Sequence, residues 1–148
     1  AKYINVMNGE LDVHKGYMGK FAVTQEEIDA MKPSLDNLSY TSYMIRVAYD
    51  ESEVEVLAAV LSCAYSYEVI AKKIVANRPE SVDDPFYGDW IRGYASDGYA
   101  AGNVMLIETL DRLSAHYTEE QLRHLEDIFI ACSRYEMAFW QMAWEIRL

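Results

Sequence analysis

Residues 54–75, VEVLAAVLSCAYSYEVIAKKIV, place Val56, Val60, Cys63, Tyr67, Ile70 and Ile74 at alternating steps of four and three. That spacing is the stripe one face of an α-helix turns toward its neighbours, so this segment needs other helices packed against it. A thiol sits mid-stripe, and the Tyr67 hydroxyl follows one turn later on the same face. Two readings stand side by side. Cys63 is either a small buried hydrophobe next to an amphipathic tyrosine, or a nucleophile in a cavity.

The rest of the chain repeats the helical period. Ile4, Met7, Leu11, His14 and Met18 form a first stripe, and no N-cap precedes Tyr3, as if the chain began inside a helix. Thr24 with Glu27 makes a capping box for a short helix closing at Lys32 and Pro33. A helix from about Asp36 sets Tyr40, Met44 and Val47 on one side, and Asp50 to Glu53 reads as an acidic turn. Asn77 to Asp84 reads as a loop that Pro85 ends at the start of a short aromatic helix bearing Trp90 and Tyr94. Tyr99, Asn103, Leu106, Leu110, Leu113 and Tyr117 give another stripe, and Thr118 with Gln121 caps the last helix. There is no strand pattern and no repeat. The expectation is an all-α helical bundle of six or seven helices, one domain over residues 1–148.

Charge narrows the partners. A net charge of -11 and a pI near 4.6, without a dense Lys or Arg run, make a surface that repels phosphate backbones and anionic lipid heads. Nucleic acid and membrane are therefore poor partners, and the apolar run around Val56 to Ala64 is short for a bilayer. Two cysteines on separate helices fit a reducing cytoplasm better than a disulfide scaffold. His14, His116 and His124 are scattered and make no ligand pair, so no metal and no cofactor is expected.

The last helix carries the sharpest signal. Its stripe runs Leu122, Leu125, Phe129, Cys132, Glu136, Phe139 and Ala143, and a carboxylate has taken a core position that no other stripe gives to an acid. A buried acid must be paired, neutral or functional. Glu136 is thus a structural carboxylate bonded to tyrosine hydroxyls or backbone, or a proton donor and acceptor near neutral pH, with Phe139 and Trp140 as a dry wall. Joined with Cys63, and with Tyr40, Tyr67 and Tyr94 as hydroxyl-bearing rings, it suits a flat, nitrogen-rich heterocycle. Twelve tyrosines are many for this length, although tyrosine stripes are more often core than ligand wall. No histidine is placed to pair with Cys63.

The succession LSYTSYM, LSCAYSYE, DPFYGDWIRGY and CSRYEMAFWQMAW resembles the TenA family, the thiaminase II or aminopyrimidine aminohydrolase proteins, along all 148 residues. The resemblance implies a haem-oxygenase-like bundle that binds no haem, a homotetramer, and cytoplasmic thiamin salvage. The implied reaction converts 4-amino-5-aminomethyl-2-methylpyrimidine to its hydroxymethyl counterpart, with thiamin as a second substrate. It further implies that Cys63, in the SC-x-x-S-Y motif, attacks the pyrimidine, and that Glu136, in S-x-Y-E-x-x-F-W, handles protons at the ring nitrogens. Tyr40, Tyr67, Tyr94 and Phe139 match its pocket positions. The family pattern also has about two earlier helices supplying an aspartate, which neither Asp12 nor Asp36 replaces. The alternative expectation is therefore a non-catalytic aminopyrimidine-binding or regulatory module; a purely structural bundle leaves Glu136 unexplained.

Overall fold

The computed structural model describes the backbone of residues 2–146 and the side chains of residues 11–146. Among these residues there are seven α-helices, one 3-10 turn and no strand, as the periodicity predicts. The chain forms two compact units that meet in sequence between Pro33 and Ser34.

The first unit holds α1 (Lys2–Lys20) and α2 (Gln25–Ala30). Ile4 and Met7 of the first stripe lie outside the residues whose side chains are described. Tyr17 stacks on Phe21 with centroids 6.5 Å apart, and Ala22, at φ 56°, turns the chain out of α1. The Thr24 capping box forms as expected: the Glu27 amide donates to Thr24 Oγ1 at 3.2 Å, and the Thr24 amide donates to Glu27 Oε2 at 2.8 Å. Met31 is extended, and α2 stops just ahead of Pro33.

In the second unit, α4 (Glu53–Asn77) packs against α3 (Leu35–Asp50), α5 (Gly88–Ala95), α6 (Asp97–Ser114), α7 (Glu119–Glu145) and the 3-10 turn Pro79–Asp83. Hydroxyl caps start four of these helices. Ser34, Ser52, Ser96 and Thr118 accept from amides of the first turn, and Thr118 pairs reciprocally with Gln121. The acidic turn of the sequence reading is more specific than it looked: Ser52 and Glu55 form a full capping box. Within the expected loop, Pro79–Asp83 winds into the 3-10 turn.

Two sequence expectations need correction. On α4 the deepest side chains are Val54, Glu55, Ala58, Ala59, Leu61, Ser62 and Ala71, whereas Cys63 and Tyr67 are half-buried and Ile70 is exposed. The reason is that a helix covered on several sides lets its neighbours approach where side chains are small, so burial follows size as much as period. Nor is Glu136 the sole acid in a core position. Glu55 is equally buried, bonded to the Ser52 amide and hydroxyl, and the Glu68 side chain is mostly covered.

The core joins Tyr40 and Val47 of α3, Val54, Ala58 and Ala59 of α4, and Leu125, Ile128 and Cys132 of α7. Burying each large aliphatic chain there contributes about 1.5–3 kcal/mol. By length and composition α4 could cross a membrane. Its apolarity is accounted for by the helices packed around it.

Candidate functional site

Cys63 and Tyr67 stand one turn apart on α4, and Glu136 reaches Tyr67 from α7. The Tyr67 hydroxyl donates to Glu136 Oε2 at 3.5 Å, a long hydrogen bond. Glu136 is 7% exposed, which leaves an acid in a nearly dry place with a phenol beside it.

Tyr40 approaches from α3 and is influenced by both Cys63 and Glu136. Burial, then the negative charges that Glu136 and Cys63 can carry, push its phenol well above the ordinary range. Tyr40 thus lies within electrostatic reach of both Glu136 and Cys63. The Tyr40 hydroxyl is buried without a hydrogen-bond partner among the described residues. Ser62 sits close enough to act on it, but the geometry falls short of a bond, and the Ser62 proton goes to Ala59 O at 2.8 Å. A buried hydroxyl in that state is poised to bond an incoming polar group.

Aromatic rings wall the same space. Tyr67 lies 4.9 Å from Tyr94, 5.7 Å from Trp90 and 5.8 Å from Trp140, centroid to centroid. Phe139 joins through Trp140 at 6.2 Å, edge on. The amphipathic helix α5 brings in Trp90 and Tyr94. Its approach is held by Arg92, whose guanidinium bonds Val82 O and Asp89, and by Asp84, which accepts from the amides of Phe86 and Tyr87 at 2.8 and 2.7 Å. Those two amide bonds hold the Asp84 carboxyl below its usual range, Tyr87 first.

Cys132, one helical turn before Glu136 on α7, is fully buried. Loss of solvent, and after it the Glu136 charge, push its thiol up to about 11 against the opposing effect of Ser62. Cys63, by contrast, is half-buried. Burial therefore disfavours thiolate chemistry at Cys132, while Cys63 keeps access to solvent.

Of the six expected site residues, Tyr67 meets both Glu136 and Tyr94, Tyr40 feels the charges of Glu136 and Cys63, and Phe139 is linked to Tyr67 through Trp140. Sequence reasoning passed over Tyr135, which stacks on Tyr40 at 5.7 Å with planes 10° apart and touches Tyr43 at 5.3 Å. Its place beside Glu136 in the sequence was the available signal.

This arrangement can stack a flat ring, present a carboxyl group and phenols to its nitrogens, and set a thiol against it. Two relatives bear the name aminopyrimidine aminohydrolase: one from Helicobacter pylori, 39% identical over 95% of this chain, and one from Halalkalibacterium halodurans, 39% identical over 96%. The chain spans 64% and 63% of their respective lengths. Among solved structures, a TenA homologue from P. horikoshii superposes with a TM-score of 0.78 at 27% identity, covering 94% of this chain and 63% of that one. A TenA family transcription regulator from a Silicibacter species gives 0.76 at 28%, covering 90% and 60%. The bundle is thus of the haem-oxygenase-like kind. Since the TENA/THI-4/PQQC family model matches residues 1–146, the chain belongs to that family.

Proposed function

We propose that this protein is a hydrolase of thiamin salvage acting on 4-amino-5-aminomethyl-2-methylpyrimidine, and on thiamin as a second substrate. The observation that carries the reading is the buried Glu136 carboxyl, held by Tyr67 inside the aromatic wall and within electrostatic reach of Tyr40, which also feels Cys63. The names of the two relatives supply the substrate class.

The residues would act in sequence. Stacking on Tyr67 and its neighbours orients the pyrimidine, and the buried Tyr40 hydroxyl gains the bond it lacks. The Cys63 thiolate adds its electron pair to an electron-poor ring carbon while Glu136 gives a proton to a ring nitrogen. The resulting enamine pushes the amine, carrying a proton, off the exocyclic methylene. The oxygen of a water adds to that methylene, loses a proton to solvent and re-forms the enamine. Expulsion of the thiolate and return of the ring proton to Glu136 restore the aromatic ring, so one water enters and one ammonia leaves. A proton-transfer group positioned in this way typically contributes about 10²- to 10⁴-fold in rate. The residues would work in a reducing cytoplasm, and the assembly we expect is the homotetramer.

The test is incubation with the aminomethylpyrimidine, following the hydroxymethyl product by mass spectrometry and ammonia by a coupled assay. Product formation that Cys63→Ala abolishes is expected. Tight binding of the pyrimidine with no product would overturn the hydrolase reading in favour of a non-catalytic binding module.

A further inference from the structure

Behind the site, on the side of α4 that meets α6, lies a polar contact the proposed reaction does not use. Asn103 is 3% exposed, and its amide donates to Ala64 O at 3.1 Å and to Glu68 Oε2 at 2.6 Å. Both partners are pure acceptors, so the amide nitrogen must face them, and its two protons are both spent. Glu68 is anchored in turn by Lys72 at 2.6 Å. Lys72, then Asn103, hold its carboxyl below the usual range, so the acceptor is a charged oxygen and the bond a charge-assisted one.

The two acceptors bracket one turn of α4. Ala64 directly follows Cys63, and Glu68 directly follows Tyr67. Asn103 therefore grips from outside the turn whose inner face carries the thiol and the phenol bonded to Glu136. In the same turn the Ser66 hydroxyl donates to Cys63 O at 2.9 Å, adding a second bond to a carbonyl of the helical ladder. Hydroxyls returned to the preceding turn in this way bend helices. A buried side chain bonded to both ends of such a turn holds it in a single geometry.

We propose that Asn103 is a positioning residue for the reaction. It acts through the Ala64 carbonyl and the Glu68 carboxylate to fix where α4 holds Cys63 relative to Tyr67 and Glu136. It touches no substrate. The proposal rests on Cys63 being the reacting thiol.

The experiment compares the protein with its Asn103→Ala variant by steady-state kinetics on the aminomethylpyrimidine, by iodoacetamide labelling of each cysteine followed by mass spectrometry, and by thermal melting. Misplacing a reacting group by about 1 Å can cost on the order of 10²-fold, so kcat is expected to fall about 10- to 100-fold. KM should move less than about threefold, because the pocket walls are intact. Cys63 should change its alkylation rate by about threefold or more while Cys132 keeps its own. A lowered melting temperature with kcat and Cys63 labelling unchanged would make Asn103 a packing residue and overturn the proposal.

If the parent protein forms no hydroxymethyl product, the proposed function fails, and labelling alone decides the positioning role: equal Cys63 rates in parent and variant overturn it, unequal rates sustain it. Should Asn103→Ala fail to fold, Glu68→Ala, which leaves the bond to Ala64 O in place, serves instead. A smaller fall in kcat, about three- to tenfold, with the same selective change at Cys63 is then expected, and no change in either would overturn the proposal.

Discussion

The Tyr67 hydroxyl and the Glu136 carboxylate meet 3.5 Å apart across the α4–α7 contact, although 69 residues separate them in the chain. A contact of that length is a weak hydrogen bond, so the pair is better suited to orienting the acid than to neutralising it. Glu136→Gln keeps the shape and an oxygen able to accept from Tyr67 but cannot pass a proton. We expect it to fold like the parent and to lose about 10²- to 10⁴-fold in turnover. Tyr67→Phe keeps the ring stacked and removes the long bond to Glu136, whose net worth is about 1 kcal/mol or less, so its turnover should fall less than tenfold. The two variants assayed side by side check the assignment: a Phe variant worse than the Gln variant would shift the acid–base role from Glu136 to Tyr67.

Thiol reactivity should divide along the same lines. Cys63 is half-buried, whereas Cys132 is fully buried with its thiol pushed up to about 11. Iodoacetamide at neutral pH is expected to modify Cys63 first, and an aminopyrimidine to protect it. Peptide mapping over time gives both rates, and faster labelling of Cys132 would reverse the roles of the two thiols.

How far the sequence alone revealed this arrangement differs from residue to residue. Thr24 with Glu27 and Thr118 with Gln121 were legible because a capping box is made by residues three apart and asks nothing of the rest of the fold. Ser52 with Glu55 obeys the same rule but was hidden in a run of acids that also reads as a solvated turn. Glu136 stood out because period alone placed an acid among apolar neighbours. Burial on α4 was not legible in that way: Ala58 and Ser62 are deeper than Val60 or Tyr67 because several helices close on them, and that depends on tertiary approach. The stacking of Tyr40 on Tyr135, and the grip of Asn103 on Ala64 and Glu68, are long-range pairings that no spacing announces.

Alkaline pH should weaken the second unit from within. In the folded chain the Cys132 thiol titrates near 11 rather than at its ordinary 9, and Tyr40 is displaced upward as well. The folded state thus holds these protons more firmly than the unfolded one. The stabilisation they supply is fully present below the unfolded values and is lost as pH rises toward the folded ones. Melting temperature is expected to be level up to about pH 8 and to decline between pH 9 and 11, with Cys132→Ala flattening the decline while lowering the whole curve by its cavity. Parallel slopes for parent and variant would remove Cys132 from the account.

Gly88 fixes how α5 reaches the site, and the prediction follows from space alone. A Cβ built on it would come 2.6 Å from Val82 O and 3.2 Å from Val82 C, backbone atoms of the 3-10 turn that cannot swing aside, as well as 3.2 Å from Arg92 Nη1. Gly88→Ala must therefore push α5 off the turn and break the Arg92 bond to Val82 O. Overpacking of this kind costs about 1–3 kcal/mol. Because α5 carries Trp90 and Tyr94, whose rings lie 4.9 Å apart and both face Tyr67, the displacement should also loosen the aromatic wall. Tryptophan fluorescence should change, and KM for the pyrimidine should rise more than kcat falls, since Cys63 and Glu136 sit on other helices and keep their places. A variant with parental melting, fluorescence and KM would mean that α5 can shift without cost, and that the close approach at Gly88 does not position the site.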